Sequence, residues 1–191
     1  MRILNRCSWN FSDPIYFDYH DLEWGVPVRD DRKQFEFLVL ESAQAGLSWL
    51  TVLKRREGYR RLYEDFDPEK VARFDETRIV TMLHDTGIIR NRKKIEASVN
   101  NAVRFLEIRE QYGSFCDYLW GFNDGKQVIN HFEKLSDLPA ATPLSDTISK
   151  DMKQRGFQFL GSTIIYAHMQ ATGLVNDHLV HCFRHTECIE K

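Results

Sequence analysis

The sequence has little of what marks a secreted, membrane-spanning or repetitive protein. Its 191 residues include four cysteines and five prolines, with no repeat and no Pro/Gly/Ser-rich linker. No apolar run approaches the roughly 20 residues of a transmembrane helix, and the first nine residues lack the apolar segment of a secretory signal. So few cysteines do not indicate a disulfide scaffold. We therefore expect an intracellular, cytoplasmic protein without membrane contacts.

An excess of basic charge is also missing. The chain has 26 Lys+Arg against 28 Asp+Glu, a net charge of −2, which excludes a charge-driven coat on nucleic acid. The aromatic fraction of 13% supplies apolar surface for a core, so disorder is excluded as well. The charge is unevenly distributed, however. Residues 13–31 hold six acids and one base, whereas residues 86–95 hold four bases and no acid. A protein that holds DNA at one basic segment is compatible with this pattern.

Helix signals recur along the chain, whereas alternating strand patterns are scarce. Capping residues such as Asp30, Ser48 and Asn91 precede apolar residues at helical spacing, and glycines such as Gly113 follow them. The pattern predicts an all-α protein of many short helices in one domain, residues 1–191. The predicted helices cover about residues 31–45, 68–74, 75–84, 91–113, 145–156 and 162–172, and a further helix is predicted to start at Ser48. Residues 127–132 are a weak strand candidate.

Cysteine and histidine residues near both chain ends form a candidate metal site. Cys7 and His20 lie near the start, and His178 and Cys182 are four residues apart, a spacing that shares one face of a helix. Two thiolates and two imidazoles suit tetrahedral zinc. The alternative is a surface histidine cluster beside inert buried cysteines. Three further potential ligands crowd the same region: His181, His185 and Cys188.

Glu41 is a second candidate, because the helix around it is apolar on every side and is expected to be buried. An ionised carboxylate is costly there unless it is paired. It could belong to an ordinary ion pair or lie at an exposed edge. It could also be held ready for a cationic or hydrogen-bond-donating ligand. Aromatic residues that could wall a flat slot, or simply form core, are Trp9, Tyr16, Tyr19, Trp24 and Trp49.

The basic segment 86–95 is a third candidate. It begins with a glycine turn after one predicted helix and runs into the start of the next. Backbone N–H groups at a helix start point towards an anion, so this arrangement could grip phosphate. A solvated basic turn is the alternative.

Together these residues resemble the bacterial DNA-3-methyladenine glycosylase I family, which removes N3-methylated adenine from DNA. The matching stretches extend from Arg6 to about Cys182, and the runs at residues 44–49 and 174–178 are specific. The resemblance implies a helix-hairpin-helix DNA glycosylase fold in a single domain. It further implies two interlocked lobes, one around a zinc site that joins the N- and C-terminal segments and one around the central hairpin. We expect a monomer.

The resemblance also implies roles for individual residues. The structural zinc ligands are Cys7, His20, His178 and Cys182. The base pocket has Glu41 as its catalytic-site residue, with Tyr19 and Trp49 beside it and Tyr16, Trp9 and Trp24 lining or supporting it. The DNA-contacting residues are Gly46, Leu47, Gly87, Arg90, Arg92 and Lys93. No aspartate is assigned as nucleophile or base.

The implied activity is hydrolytic excision of 3-methyladenine from double-stranded DNA, with release of the free base, as the first step of base excision repair. Zn²⁺ is the only implied cofactor. We expect Glu41 to act mainly in selecting the cationic base, since tight binding of a ground state does not by itself accelerate bond breaking. The alternative is a non-catalytic module that binds alkylated bases or DNA.

Overall fold

The fold is built from helices, most of them short, as the sequence predicts. The computed structural model describes residues 5–9 and 13–189. The α-helices of this part of the chain are α1 (Pro14–Leu22), α2 (Asp31–Gln44), α3 (Trp49–Leu53), α4 (Arg56–Leu62), α5 (Pro68–Val71), α6 (Glu76–His84), α7 (Arg92–Tyr112), α8 (Phe115–Gly121), α9 (Pro143–Gln154), α10 (Ser162–Ala171) and α11 (Phe183–Glu187). Two 3₁₀ turns, Glu64–Phe66 and Leu135–Asp137, lie between them.

Several predicted helix starts coincide with side-chain caps. The side chains of Asp30, Ser48 and Asn91 each accept a backbone N–H from the first turn of α2, α3 and α7. Each bond satisfies an amide that has no partner within its helix. Gly113, with φ of 90°, ends α7 where the sequence places its stop. Local cap chemistry therefore sets these boundaries.

Other boundaries differ from the prediction. Helix α9 begins at Pro143 rather than Ser145, because Thr142 is the N-cap. In this capping box the Thr142 hydroxyl accepts from the Ser145 backbone N–H, and the Ser145 hydroxyl accepts from the Thr142 backbone N–H. Helix α5 ends at Val71 rather than continuing to residue 74. The helices outside the predicted set are α1, α4, α8 and α11. Two of them, α4 and α11, have no side-chain cap bond at their starts, so the usual sequence signal is missing.

A short parallel sheet pairs β1 (Val128–Ile129) with β2 (Val175–Asn176). Strand β1 lies within the weak candidate at residues 127–132. Strand β2 is not predicted, and it is fully buried. The pairing fixes the segment that follows β2, which carries His178, against the middle of the chain.

Helix α2 lies at the centre of the fold. Residues 34–43 are all buried, as the sequence predicts, and the helix packs against α3, α7, α8 and α10. The Phe105 ring lies 5.3 Å from Phe35 on α2 and 4.3 Å from Phe115 on α8. This packing holds Glu41, near the end of α2, inside the protein. None of the described helices combines the length and the apolar character that crossing a bilayer requires.

Candidate active site and metal centre

A cavity of about 220 Å³ is lined by all six residues that the sequence analysis predicts for the base pocket. It is smaller than the roughly 300–1,000 Å³ of typical drug-sized ligand sites, so it suits one small flat molecule. The lining residues come chiefly from α1, α2, α3 and α10 and are Trp9, Tyr16, Tyr19, Trp24, Glu41, Gln44, Trp49, Leu138, Ala167 and Gln170. A larger groove of about 520 Å³ near Arg109 contains no buried unpaired polar atom of the described residues, whereas this cavity contains two.

The aromatic side chains of the cavity pack against one another. The Trp9 ring lies 5.2 Å from Tyr16 and 4.6 Å from Trp24, and Tyr19 lies 5.4 Å from Trp49. Tilted and edge contacts of this kind are the favoured arrangements of aromatic pairs. The indole Nε1 of Trp49 is buried and donates to no described residue. The aromatic part of the wall therefore leaves the Trp49 N–H as a donor without a partner among the described residues.

Glu41 is the carboxylic side chain of the cavity, and it lacks an ion-pair partner within residues 5–9 and 13–189. It is 2% exposed, and its Oε2 atom has no hydrogen-bond partner. Neither the ion-pair interpretation nor an exposed edge therefore describes it. Burial raises the pKa of Glu41 to about 8. The carboxyl group is then mostly protonated at neutral pH, and an entering cation would favour its ionised form.

The two tyrosines beside Glu41 stay protonated. Burial raises the pKa of Tyr19 well above its usual range, and the Glu41 carboxyl adds to the shift. Burial and the same carboxyl also raise the pKa of Tyr16. Both phenols therefore keep a hydroxyl hydrogen that can be donated.

The turn between α2 and α3 places Glu41 and Trp49 at the same cavity. Gly46 adopts φ of 79°, a conformation that suits glycine, and Ser48 then caps α3. The turn therefore brings the last part of α2 and the first residue of α3 together. Leu47, at the tip of this turn, is 40% exposed beside the cavity. Exposure of a large apolar side chain there is compatible with a DNA contact.

The four predicted metal ligands form one buried cluster. The ligand atoms of Cys7, His20, His178 and Cys182 all lie within 4.8 Å of one another. The Cys7 Sγ atom is 3.5 Å from His178 Nδ1, and Cys182 Sγ is 3.6 Å from His20 Nε2. A set of two thiols and two imidazoles, fully enclosed, has the donor chemistry of a four-coordinate metal site.

The outer nitrogens of both histidines are oriented by hydrogen bonds. His20 Nδ1 lies 2.7 Å from an Asp21 carboxylate oxygen, and His178 Nε2 lies 2.8 Å from the Trp24 carbonyl oxygen. Because both partners are acceptors, these nitrogens carry the hydrogens. The inner nitrogens are left with lone pairs that face the cluster, as metal ligation requires.

The segment that carries His178 and Cys182 is not a helix. Residues 177–182 form an irregular turn between β2 and α11, so the predicted shared helix face is wrong. The turn nevertheless brings both side chains to the cluster. The neighbouring candidates lie outside it: His181 is exposed, His185 bonds the Asn130 carbonyl oxygen at 2.8 Å, and Cys188 lies 3.8 Å from the Trp24 carbonyl oxygen.

The residues predicted to contact DNA differ in their availability. Arg90 and Lys93 are exposed and have no ion-pair partner within the described residues. Arg92 instead pairs with Glu76 at 2.9 Å and Glu96 at 3.2 Å.

The backbone N–H of Gly87 donates to an Asp85 carboxylate oxygen at 2.7 Å, so it is already used within the protein. Of the predicted hairpin contacts, Arg90 and Lys93 are therefore the available cations.

Four cavity residues lie outside the predicted set: Gln44, Leu138, Ala167 and Gln170. Gln44 belongs to the specific run 44–49. Ala167 and Gln170 are three residues apart on α10 and so share a helix face. Leu138 follows the 3₁₀ turn Leu135–Asp137 in an irregular segment, and no local pattern identifies it.

The described residues define the class: a helical protein with a base-sized aromatic cavity, a buried carboxyl group in it that they leave unpaired, and a Cys₂His₂ cluster that joins segments near both chain ends. A family model described as methyladenine glycosylase matches residues 9–185. DNA-3-methyladenine glycosylase 1 of Escherichia coli (strain K12) is 48% identical over 94% of this chain and 96% of that protein.

Solved structures give the same result. A crystal structure of 3-methyladenine DNA glycosylase I is 50% identical, with a TM-score of 0.90 over 94% of this chain and 98% of that one. The enzyme of that name from Staphylococcus aureus, described for its recognition of 3-methyladenine, is 41% identical, with a TM-score of 0.91 over 94% of this chain and 96% of that one. The chain belongs to the methyladenine glycosylase family.

The raised pKa of Glu41 predicts a pH-dependent gain in stability for Glu41→Gln. The carboxyl group ionises near pH 4.5 in the unfolded chain and near pH 8 in the folded protein. Between these values the folded state binds more protons, so the stability of the wild type falls as pH rises. The stability of Glu41→Gln relative to the wild type should rise by roughly 1.4 kcal/mol per pH unit across this window.

Urea unfolding of both proteins at intervals from pH 4.5 to pH 8.5 measures this difference. Glu110→Gln, which changes an exposed glutamate on α7, is the matched control and should show no such trend. A difference that stays constant with pH would show that Glu41 ionises alike in both states.

Proposed function

We propose that this protein is a monofunctional DNA glycosylase that flips 3-methyladenine out of alkylated DNA and hydrolyses its N-glycosidic bond. The observation that carries this proposal is Glu41, a buried carboxyl group in an aromatic cavity of base size whose Oε2 atom has no hydrogen-bond partner among the described residues. The names of its relatives agree with it. A base cannot be excised while it is stacked in the duplex, so it must first enter such a cavity, at a cost of a few kcal/mol.

The cavity favours a flat cation over a neutral base. N3-methylation makes adenine cationic within DNA. The Trp49 face can stack on the base, which contributes about 1–3 kcal/mol, and it attracts positive charge. Glu41 becomes a carboxylate acceptor for the N–H edge of the base once that charge is present. Tyr19 offers a hydroxyl that orients the base.

Selection and chemistry are separate in this proposal. When the C1′–N9 bond breaks, its electron pair goes to the base, which leaves as neutral 3-methyladenine. Water then adds to C1′, loses a proton and leaves an abasic sugar. Since positive charge moves from base to sugar, Glu41 accelerates this step only through contacts that strengthen in the transition state. We assign Glu41 mainly to selection, and the lability of the lesion supplies much of the rate.

Incubation of the pure protein with N-methylated duplex DNA tests the function. The expected result is release of 3-methyladenine, identified by mass spectrometry of the free bases, with little 7-methylguanine. In single-turnover assays Glu41→Gln should weaken binding of the lesion. Binding of methylated DNA without release of any base would instead show a non-catalytic module. Unchanged affinity with a collapsed chemical step would overturn the selection role of Glu41.

We assign DNA contacts to two neighbouring surfaces. Gly46 and Leu47 form the turn at the edge of the cavity, where Leu47 can enter the gap left by the flipped base. Helices α6 and α7, with the turn at residues 85–91 between them, form the proposed helix-hairpin-helix grip. Support for a joint surface comes from Lys94, whose Nζ atom donates to the carbonyl oxygens of Ala43 and Ala45 at 2.8 and 2.6 Å.

Replacement of both available cations of this grip, Arg90→Gln with Lys93→Gln, should weaken DNA binding uniformly across sequences. Each phosphate contact releases bound counterions, so loss of two should reduce the slope of log affinity against log salt by up to about 1.8. Fluorescence anisotropy with an undamaged duplex at 50–200 mM salt measures the slope. Lys126→Gln, an exposed lysine in the turn before β1, is the control. An unaltered slope in the double variant would contradict the assignment.

We propose that the Cys₂His₂ cluster binds one structural Zn²⁺ ion. Soft thiolates and borderline imidazoles are the ligands that zinc prefers, and four protein ligands leave no open position for a substrate. The ion would be held by Cys7, His20, His178 and Cys182, and it would supply folding energy by joining distant segments, since Cys7 and His178 are 171 residues apart. No step of the hydrolysis passes through it.

Loss of one ligand, Cys182→Ser, should abolish stoichiometric zinc binding and lower the melting temperature, because the junction of the chain ends is lost. Elemental analysis and calorimetry measure the two effects. Cys116→Ser, which changes a buried cysteine outside the cluster, should keep its metal. The structural role would be wrong if Cys182→Ser lost activity but retained full stability and base binding.

A further inference from the structure

Gln170 on α10, a polar residue outside the predicted set, lies in the wall of the cavity. Its Nε2 atom is 2.7 Å from an Asp177 carboxylate oxygen. An ionised carboxylate can only accept, so the amide NH₂ group faces Asp177 and the amide oxygen points the other way. That Oε1 atom accepts no hydrogen bond from the described residues. Gln170, which lines the cavity, therefore has an amide group held by Asp177, with the amide oxygen left as its acceptor.

Asp177 is itself held in place. It is 1% exposed, and it accepts hydrogen bonds from Asn130 Nδ2 at 2.7 Å and from the Tyr166 hydroxyl as well as from Gln170. No lysine or arginine of the described chain pairs with it. Three neutral donors thus satisfy a buried charge, and hydrogen bonds to a charged acceptor are the strong ones. Rotation of the Gln170 amide, which would turn its oxygen towards this carboxylate, is strongly disfavoured.

We propose that Gln170 is a specificity residue for the flipped base: its amide oxygen accepts from the exocyclic amino group, and Asp177 is the positioning residue that fixes the amide. This inference rests on the proposed function. Adenine carries an amino group at its 6-position, whereas hypoxanthine and guanine carry a carbonyl oxygen there. Two acceptors facing one another disfavour the wrong base.

The polarity of Gln170 distinguishes it from Glu41. A carboxyl group that can be neutral or ionised can donate to a carbonyl oxygen or accept from an amino group. The Gln170 amide, fixed by Asp177, can only accept at the cavity. Discrimination between an amino and a carbonyl group therefore falls to Gln170.

Binding of two free bases to the full-length protein tests the inference. 3-Methyladenine and 3-methylhypoxanthine differ by the amino-to-carbonyl exchange, and isothermal titration measures both affinities. Gln170→Leu should lower the affinity for 3-methyladenine about 3- to 10-fold, as expected for one lost hydrogen bond. The affinity for 3-methylhypoxanthine should not fall, so the ratio of the 3-methyladenine affinity to the 3-methylhypoxanthine affinity should decrease. Gln170→Met repeats the measurement with an unbranched side chain should the leucine variant fail to fold.

The matched control is Gln127→Leu. Gln127 Nε2 also donates to the protein, at 2.9 Å to the Gly173 carbonyl oxygen, but the residue does not line the cavity. Its replacement should leave the ratio unchanged. Asp177→Asn tests the positioning role, because an asparagine amide can satisfy either orientation of Gln170. Asp177→Asn should bring the affinities for 3-methyladenine and 3-methylhypoxanthine closer together. The metal content should stay unchanged, and it is measured because His178 is adjacent to Asp177.

The outcomes separate this inference from the proposed function. An unchanged ratio in the folded Gln170 variants overturns the role of Gln170, and excision of 3-methyladenine by the wild type then still stands. The positioning role of Asp177 is overturned if Gln170→Leu lowers the ratio of the two free-base affinities but Asp177→Asn leaves that ratio unchanged. Failure of the wild type to release 3-methyladenine overturns the proposed function, whatever the free-base ratio.

Discussion

The walls of the cavity depend on the junction of the two chain ends at the Cys₂His₂ cluster. Cys7 lies two residues before Trp9, and His20 directly follows Tyr19. His178 donates to the carbonyl oxygen of Trp24. Each of these ligands is thus tied to a different aromatic wall residue. The cluster lies behind the wall of the cavity, so the proposed binding of a metal there would also position the aromatic rings.

The cavity keeps one carboxyl group unpaired although acids are abundant in the sequence around it. Asp13 pairs with Lys54, Asp21 pairs with Arg6, and Glu23 pairs with Arg56 and Lys33. These ion pairs cancel much of the acidic character of residues 13–31. Of the described residues that line the cavity, Glu41 is the carboxyl group that no cation compensates, and its burial costs stability in the absence of a ligand. In the proposed function a cationic base supplies the missing charge, so the group that weakens the fold is the one that strengthens binding of a lesion.

Much of the helical framework follows from local chemistry, because caps such as Asp30 and Asn91 act within one helical turn. The metal cluster does not follow in the same way. The spacing of His178 and Cys182 is informative only on a helix, and that segment is a turn, so spacing alone leaves the nearby histidines equivalent. The resemblance, not the geometry, predicts the ligand set that the structure brings together. Leu138 enters the cavity from an irregular segment, and only tertiary packing places it there. The division into two lobes and the helix-hairpin-helix assignment stay predictions.

In the proposed function, a nearly neutral chain holds DNA through Arg90 and Lys93, and the fold links their segment to the edge of the cavity. Arg90 and Lys93 flank the start of α7, and Lys94, on the first turn of that helix, is committed to the end of α2 instead. A cation at a helix C-terminus satisfies carbonyl groups that have no partner within the helix. The bond therefore fixes the turn with Gly46 and Leu47 relative to the proposed DNA grip. Burial lowers the pKa of Lys94, in keeping with its removal from solvent. The proposed DNA grip therefore needs no uniform positive charge, because Lys94 joins the segment of Arg90 and Lys93 to the edge of the cavity.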